Sequence, residues 1–459
     1  MSEATRSPFK GFGCSARLLR PPRASRSTQN FIIEGEDLIL SAANTFRMSS
    51  AGPSGLQAVP RALRDRESWL EPFDWYRRMR EEAPVRYDAD RQTWDVFLYE
   101  DVKRVLNDDE TFSADPREAD DFVEPEEPGE GLILDTMLFK DPPRHDELRG
   151  VVDEWFQPRR LRDREPHFRD LAGELLDDAV GAEGRMDVVG DLASPFPVTV
   201  IAELLGVPPS DRDRFKTWSD ALVAAASDDE GAEAYADRQR QTQMEMAQYF
   251  LEMIESRREE PRDDLLSVIV TAESEGGGRL SREEALGMCI LLLVAGNITT
   301  TNLVANAVRC FADADADLLD ELRADDRALE RAVEEVLRYR SPVQAMSRVA
   351  AEPVTMRGET IEAGDRVIAW IGSANRDDCQ FASAETFRPD RSPNQHLGFG
   401  HGTHYCLGAP LARLEAKVGL SELLDRVERL RLTDEPLQPT RSSFVYGVES
   451  LPIRYDERR

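Results

Sequence analysis

The stretch Phe399–Gly408, FGHGTHYCLG, gathers one cysteine, two of the chain's five histidines and three glycines into ten residues. It runs directly into residues 409–427, APLARLEAKVGLSELLDRV, whose apolar positions recur with the 3.6-residue period of a helix. Cys406 therefore stands at a helix N-terminus, where unpaired backbone N–H groups and the positive end of the dipole favour a thiolate. Gly400, Gly402 and Gly408 allow the backbone to bend closely around a large flat group. The residue types also fit a plain glycine-rich turn that ends in a buried cysteine. A zinc site built from His396, His401, His404 and Cys406 is a further reading, since all four are ordinary zinc ligands. The spacing is not that of a zinc knuckle, and no partner cluster of Cys or His occurs elsewhere in the chain.

Outward from this stretch, composition narrows the classes. Across 459 residues, 88 Asp and Glu face 58 Lys and Arg, a net charge of -30, and arginine supplies most of the positive charge. Such a surface repels nucleic acid and anionic membranes, so neither is expected as a partner. It is similar to the acidic, lysine-poor surfaces of proteins from salt-loving organisms, whose internal salt screens self-repulsion. The cysteines at 14, 289, 310, 379 and 406 lack paired spacing, which points to a reducing, cytoplasmic setting rather than a disulfide framework. The N-terminus shows no continuous apolar run of signal-peptide or membrane length. The long apolar stretch from Met288 to Val308 is broken by Asn297, Thr299, Thr300, Thr301 and Asn302, and reads as a buried helix. Residues 1–47 differ from the rest, with seven basic and four acidic residues and a net +3 against -33 for the remainder. Rich in Ser, Arg and Pro, they are expected to be a disordered extension, with Met48 as the true start and 48–459 as one domain.

Within that domain, the residues from Trp69 read as a helix, two strand-like runs around a polar turn, and a helix beginning near Asp101. Residues 113–138 form a long acidic loop, a length that is usually functional or disordered. His145 and Arg149 are four apart, so one helix face can present both to an anion, or can carry ordinary solvated pairs. Pro195–Leu205 reads as a helix and another is expected after Pro209. The acidic, Ala-rich run near 224–236 reads as a mobile connection, followed by amphipathic helices. Ser281 and Glu284 make a capping box ahead of a long helix reaching Ala312. Inside it, LLLVAGNITTTNL places small Ala295 and Gly296 before a run of hydroxyls, which can widen one face and loosen the hydrogen-bond ladder. Glu335 and Arg338 are three apart in a helix ended by Pro342, a spacing that by itself suggests a surface pair worth ~0.3–0.5 kcal/mol.

Taken together, these segments resemble the soluble, bacterial-type cytochromes P-450. The pattern Phe399, two residues, Gly402, one residue, His404, one residue, Cys406, one residue, Gly408 matches that family's ligand loop at each defining position. Four further segments follow in the family's order: His145 with Arg149, the Ala295–Thr300 motif, Glu335 with Arg338, and Arg391 in FRPDR. The resemblance spans roughly residues 60–455. It implies a mainly α, triangular-prism fold with small β-sheets, and haem b held between the long helix and the Cys406 loop. On it, Cys406 is the iron ligand; His145, Arg149, Arg348 and His404 anchor the propionates; and Phe399, Gly400 and Gly408 shape the loop. Glu335, Arg338 and Arg391 would lock the fold behind the haem. Ala295 and Gly296 would leave room for dioxygen, with Thr299 and Thr300 beside it and Thr299 helping to protonate it. His396 and His401 become incidental.

The activity so implied is monooxygenation of an apolar small molecule by a monomeric enzyme, with electrons from a separate ferredoxin-type carrier. Substrate would meet the 113–138 loop, the helix near Ala295, the Val343–Met346 turn and the Phe444–Tyr446 tip. One departure stands out: the family usually has Glu or Asp where this chain has Ile298, and isoleucine cannot relay a proton. A peroxide-driven haem-thiolate enzyme would tolerate Ile298. A haem-thiolate sensor would need neither Thr299 nor electron delivery.

Overall fold

A computed structural model describes residues 60–123, 132–181, 184–211, 214, 215, 217, 218, 232–272, 280–312, 316–440 and 444–458. The expectations for residues 1–47, the Met48 start, most of the helix after Pro209 and the 224–236 run as far as residue 231 lie outside them, while residues 232–236, expected in a mobile connection, are helical. Eleven main helices are described: α1 Phe73–Glu82, α2 Tyr99–Asn107, α3 Arg144–Val152, α4 Glu165–Ala179, α5 Pro195–Leu205, α6 Ala232–Glu259, α7 Leu265–Thr271, α8 Arg282–Ala312, α9 Ala316–Ala324, α10 Asp326–Tyr339 and α11 Ala409–Arg426. The fold is mainly α with small sheets, as the sequence leads one to expect.

Helix ends follow the local chemistry. At the start of α8, Ser281 N donates to Glu284 Oε2 at 3.0 Å and Glu284 N to Ser281 Oγ at 3.0 Å, the capping box read from the sequence. α10 begins on Asp325, whose carboxylate accepts from Arg327 N at 2.9 Å. α5 opens on Pro195 and closes on Gly206 at φ 82°, where a Cβ would lie 2.2 Å from Asp264 Oδ2.

The largest sheet runs β1 (Val85–Asp88), β2 (Thr93–Val96), β8 (Arg366–Ala369), β5 (Met346–Ala350), β3 (Phe112–Ser113). Its β2–β8 pair is parallel and the others antiparallel. A second sheet joins β4 (Arg185–Asp187), β10 (Pro452–Glu457) and β9 (Val427–Leu432), and a hairpin pairs β6 (Val354–Met356) with β7 (Glu359–Ile361). Of the described residues 444–448, Val445 makes an isolated bridge to Val343 and Val448 one to Pro439. Tyr446 instead turns inward: it is fully buried, donating from its hydroxyl to Leu70 O at 2.6 Å and accepting from Arg340. A buried phenol needs such partners, and they draw it out of a regular ladder.

The core wraps α8, which packs against α5, α6, α10 and α11 and against the short turn Leu132–Asp135 in the acidic loop. α8 is long and apolar enough to cross a membrane by composition, but 67% of its most apolar stretch is buried inside the fold, as a central helix requires.

Candidate functional site

The middle of α8 breaks the burial of the core. The helix is buried from Ala285 to Leu293 and from Asn302 to Phe311, yet Ala295 is exposed and Val294, Ile298 and Thr299 are partly so. Positions spaced i, i+1, i+4 and i+5 share one helix face, so a slot opens along it. The α-helix continues unbroken through this region, so the loosening expected there is confined to side chains. Thr299 Oγ1 donates back to Ala295 O at 2.8 Å. Gly296 faces α5, where a Cβ would stand 3.6 Å from Ile201.

Thr300 leaves the slot altogether. It is buried, and its hydroxyl is hydrogen-bonded to Glu415 of α11. Asn297 is buried as well and accepts from Thr301 Oγ1 at 3.2 Å. Neither lies on the open face beside Ile298.

The loop before α11 is open as well: Phe399, Gly400, Cys406, Leu407 and Gly408 are all partly exposed. Cys406 N donates to Phe399 O at 2.9 Å, and Gly400 N to Leu397 O at 2.8 Å. Asn375 holds the loop's start by accepting from Leu397 N at 2.7 Å. Gly400 and Gly402 take φ of 75° and 72°, and a Cβ on Gly402 would lie 2.8 Å from Asn107 Cα, so α2 seats the turn. Gly408 has an ordinary φ of -78°, and a Cβ there would meet only Cys406 Sγ at 3.9 Å.

The thiol itself corrects one expectation. Burial pushes Cys406 above its ordinary value, while the N–H groups of Gly408 and Ala409 and the guanidiniums of Arg149 and Arg413 oppose that rise. The helix end alone does not make a thiolate; the sulfur needs a cation partner to deprotonate.

The predicted anion ligands separate into two groups. Arg348 is buried and donates only to Ser347 O at 2.8 Å, and among the described residues it forms no ion pair. Burial pulls it down to about 10, although Asp141 and Asp109 oppose the fall. His404 Nε2 is buried without a hydrogen-bond partner; Asp141 Oδ1 at 3.9 Å is too distant to accept from it. The His145 ring stands edge-on to His404 with centroids 4.5 Å apart, and its Nδ1 contacts Asp146 Oδ1 at 2.8 Å. Arg149 turns elsewhere, donating to Tyr405 O at 2.7 Å, so the shared helix face does not bring His145 and Arg149 onto one anion.

Behind the loop, Glu335 and Arg338 are fully buried, far from a surface pair. Arg338 grips Glu335 with Nε at 2.8 Å and Nη2 at 2.7 Å, and also donates to Asn375 O, Ala384 O and Thr386 O. Arg391 Nε reaches both Glu335 oxygens, at 3.1 and 3.0 Å. Each charge has its partners, so the three lock α10 to the segment leading into the cysteine loop.

Two residues escaped the sequence reading. Glu415 is buried, and burial pushes its carboxyl well above the usual carboxylate range, with the hydrogen bond from Thr300 opposing. Its sequence signal was an acid on the stripe of Leu411 and Val418, both of them core residues. His396, read as incidental, has a nearly covered side chain bonded to Glu334 at 3.0 Å. Among the described residues no three His, Cys, Asp or Glu side chains gather as a metal site, and of the zinc reading's histidines His396 is bonded to Glu334.

An open helix face and a partly open cysteine, with a buried guanidinium that forms no ion pair among the described residues and an orphaned imidazole nitrogen, are the features a flat group that carries carboxylates would use. Comparison with known proteins agrees. A sequence model of the family cytochrome P-450 matches residues 320–453. Cytochrome P-450 109 of Bacillus spizizenii is 41% identical over 85% of this chain and 94% of its own length. Erythromycin C-12 hydroxylase of Saccharopolyspora erythraea is 41% identical over 83% of this chain and 94% of its own. The crystal structure of CYP109E1 from Bacillus megaterium in complex with testosterone superimposes with a TM-score of 0.75 at 41% identity, covering 86% of this chain and all of that one.

Proposed function

The chain belongs to the cytochrome P-450 family and is a haem-thiolate monooxygenase, and from that premise we propose that residues 48–459 form one haem domain. Its substrate is an apolar small molecule, and its electrons come singly from a separate ferredoxin-type carrier in the cytoplasm. The observation that carries this reading is the open face at Ala295 and Thr299 in an otherwise buried α8, together with a partly open Cys406, a buried Arg348 that donates to Ser347 O, and a His404 Nε2 without a hydrogen-bond partner.

When bound, iron protoporphyrin IX with a thiolate ligand activates dioxygen and favours O–O cleavage. Cys406 would hold the iron. Arg348 and His404 would take the propionates, whose carboxylates supply the partners these buried groups lack, while the His145 ring fixes that of His404. Arg149 serves the loop instead, through Tyr405 O. Ala295 and Gly296 keep the opposite wall thin. Thr299 Oγ1, parked on Ala295 O, holds a proton at the open face. Ile298 offers no relay beside it, and the buried carboxyl of Glu415 is bonded to Thr300 on the helix's other side. Protons therefore reach Thr299 from solvent at the open face rather than through a side chain at 298.

Substrate approaches past the Leu132–Asp135 turn, which packs on α8, and past the Val343 bridge to Val445. Spin-state titration of the haem-loaded enzyme with apolar compounds, followed by product analysis with ferredoxin and NAD(P)H, tests this. Binding of polar compounds alone would reject the substrate class.

Ile298 favours a second reading, in which peroxide supplies both oxygen and electrons. Turnover with hydrogen peroxide that matches the ferredoxin-supported rate would select it.

A further inference from the structure

We infer that Glu334, His396 and Arg413 form a charge clamp that positions the Cys406 loop and sets the electrostatic potential at its sulfur. The inference rests on the haem-thiolate reading and extends it to residues outside the cavity.

The three groups come from three different segments. Glu334 lies on α10, next to the Glu335 of the buried ion cluster, so consecutive acids on one helix serve two separate anchors. Arg413, on α11, embraces Glu334 from two sides, with Nε to Oε1 at 2.6 Å and Nη2 to Oε2 at 3.0 Å. His396 Nδ1 accepts from Gly398 N at 3.1 Å, which assigns the ring proton to Nε2, and Nε2 donates to Glu334 Oε2 at 3.0 Å. Backbone donor, imidazole, carboxylate and guanidinium thus form one continuous chain. Gly398 has no room to shift, since even a Cβ would come within 2.8 Å of Leu337 O.

The clamp closes on both ends of the loop. The Arg413 guanidinium lies over the Phe399 ring, 4.4 Å from its centroid, and Nη1 donates to the Tyr405 hydroxyl at 3.2 Å. Phe399 is the residue whose carbonyl receives Cys406 N, and Tyr405 is the residue before the cysteine. Arg149 grips Tyr405 O from the other side. One full positive charge, partly neutralised by Glu334, is thereby fixed beside the sulfur. Arg413 and Arg149 both lower the Cys406 thiol, which agrees in sign. Burial pushes Glu334 up, but the hydrogen bonds from His396 and Arg413 outweigh it and hold the carboxyl at about 2, so the carboxylate is ionised at any working pH.

Reduction of the group that Cys406 holds adds one negative charge there. A guanidinium favours that change and a carboxylate opposes it. The clamp therefore makes a prediction that a merely structural role does not: removing its two charges must move the reduction potential in opposite directions. The test is spectroelectrochemical titration of the haem-loaded enzyme, with thermal unfolding as a control for folding. Arg413→Gln is expected to lower the potential and Glu334→Gln to raise it. Arg413→Lys keeps the charge but loses the two-sided grip, so it should keep the wild-type potential while lowering Tm. Shifts of the same sign in Arg413→Gln and Glu334→Gln, or no shift in either, would overturn the inference. A wild-type protein whose reduced carbon monoxide complex lacked the red-shifted Soret band would instead reject the haem-thiolate reading beneath it.

Discussion

The two walls of the slot are built by opposite means. The cysteine side is a loop, a form of backbone that ordinarily moves, and it is tied at nearly every residue: Leu397 to Asn375, Cys406 to Phe399, Tyr405 to Arg149 and Arg413, and the Glu335 cluster behind. The α8 side is a rigid helix opened by subtraction, with small Ala295 and an apolar Ile298 where an acid is usual in the family. Order is therefore concentrated where the metal must be held, and the chain's individuality lies where oxygen and substrate meet. A loop can hold a ligand to within the tolerance that catalysis needs only when its surroundings over-determine it.

The contrast can be broken most severely at Cys406. Cys406→Ser should abolish the red-shifted Soret band of the reduced carbon monoxide complex, and an unchanged spectrum would remove the metal from this wall. Glu335→Gln comes next, because it leaves Arg338 and Arg391 buried beside a neutral amide. Losing one member of a buried ion cluster costs ~3–5 kcal/mol, measurable as a fall in the urea midpoint; a loss below ~1 kcal/mol would show that the loop's rear anchor is dispensable.

Acid should loosen the same wall. The folded-state value of Glu334 is about 2 against an ordinary 4.5, so its contribution is fully present above pH 4.5 and is lost as pH falls toward 2. That window is worth at most on the order of 3 kcal/mol, less the part that solvent screens. Denaturation curves from pH 5 to pH 2 should be flatter for Glu334→Gln than for wild type.

The helix wall is probed by proton economy rather than stability. Wild type should form little product per NAD(P)H, Ile298→Glu more, and Glu415→Gln less still, within the ~10²-fold that one positioned acid contributes. Tight coupling in wild type would erase the difference between the walls. The smallest effect belongs to the slot's edge. Arg348→Leu removes a buried charge that forms no ion pair among the described residues, so the haem-free protein should keep its Tm while haem dissociates roughly tenfold faster. A large drop in haem-free Tm would show that Arg348 serves the fold instead.

Much of this was legible because it is local. FGHGTHYCLG carries its cysteine, its turning glycines and the start of α11 in one run, and Ser281 with Glu284 specify a helix start through bonds three residues apart. The Glu335 and Arg338 spacing was visible, but its burial was not, since two residues of a surface pair and two of a buried lock read alike in a sequence. Arg149 shows the same limit: the four-residue spacing placed it correctly on the face of His145, and a carbonyl 256 positions away then turned it aside.

The sequence by itself determined the helices, the cysteine loop and the family, because period, capping and motif spacing are short-range properties of the chain. Only the tertiary structure decided that Thr300 turns to Glu415, that Tyr446 points inward, and that His396 is a clamp member rather than a bystander. Each of those outcomes depends on which distant group a side chain meets once the core closes, and burial then fixes whether the pair is charged, neutral or orphaned.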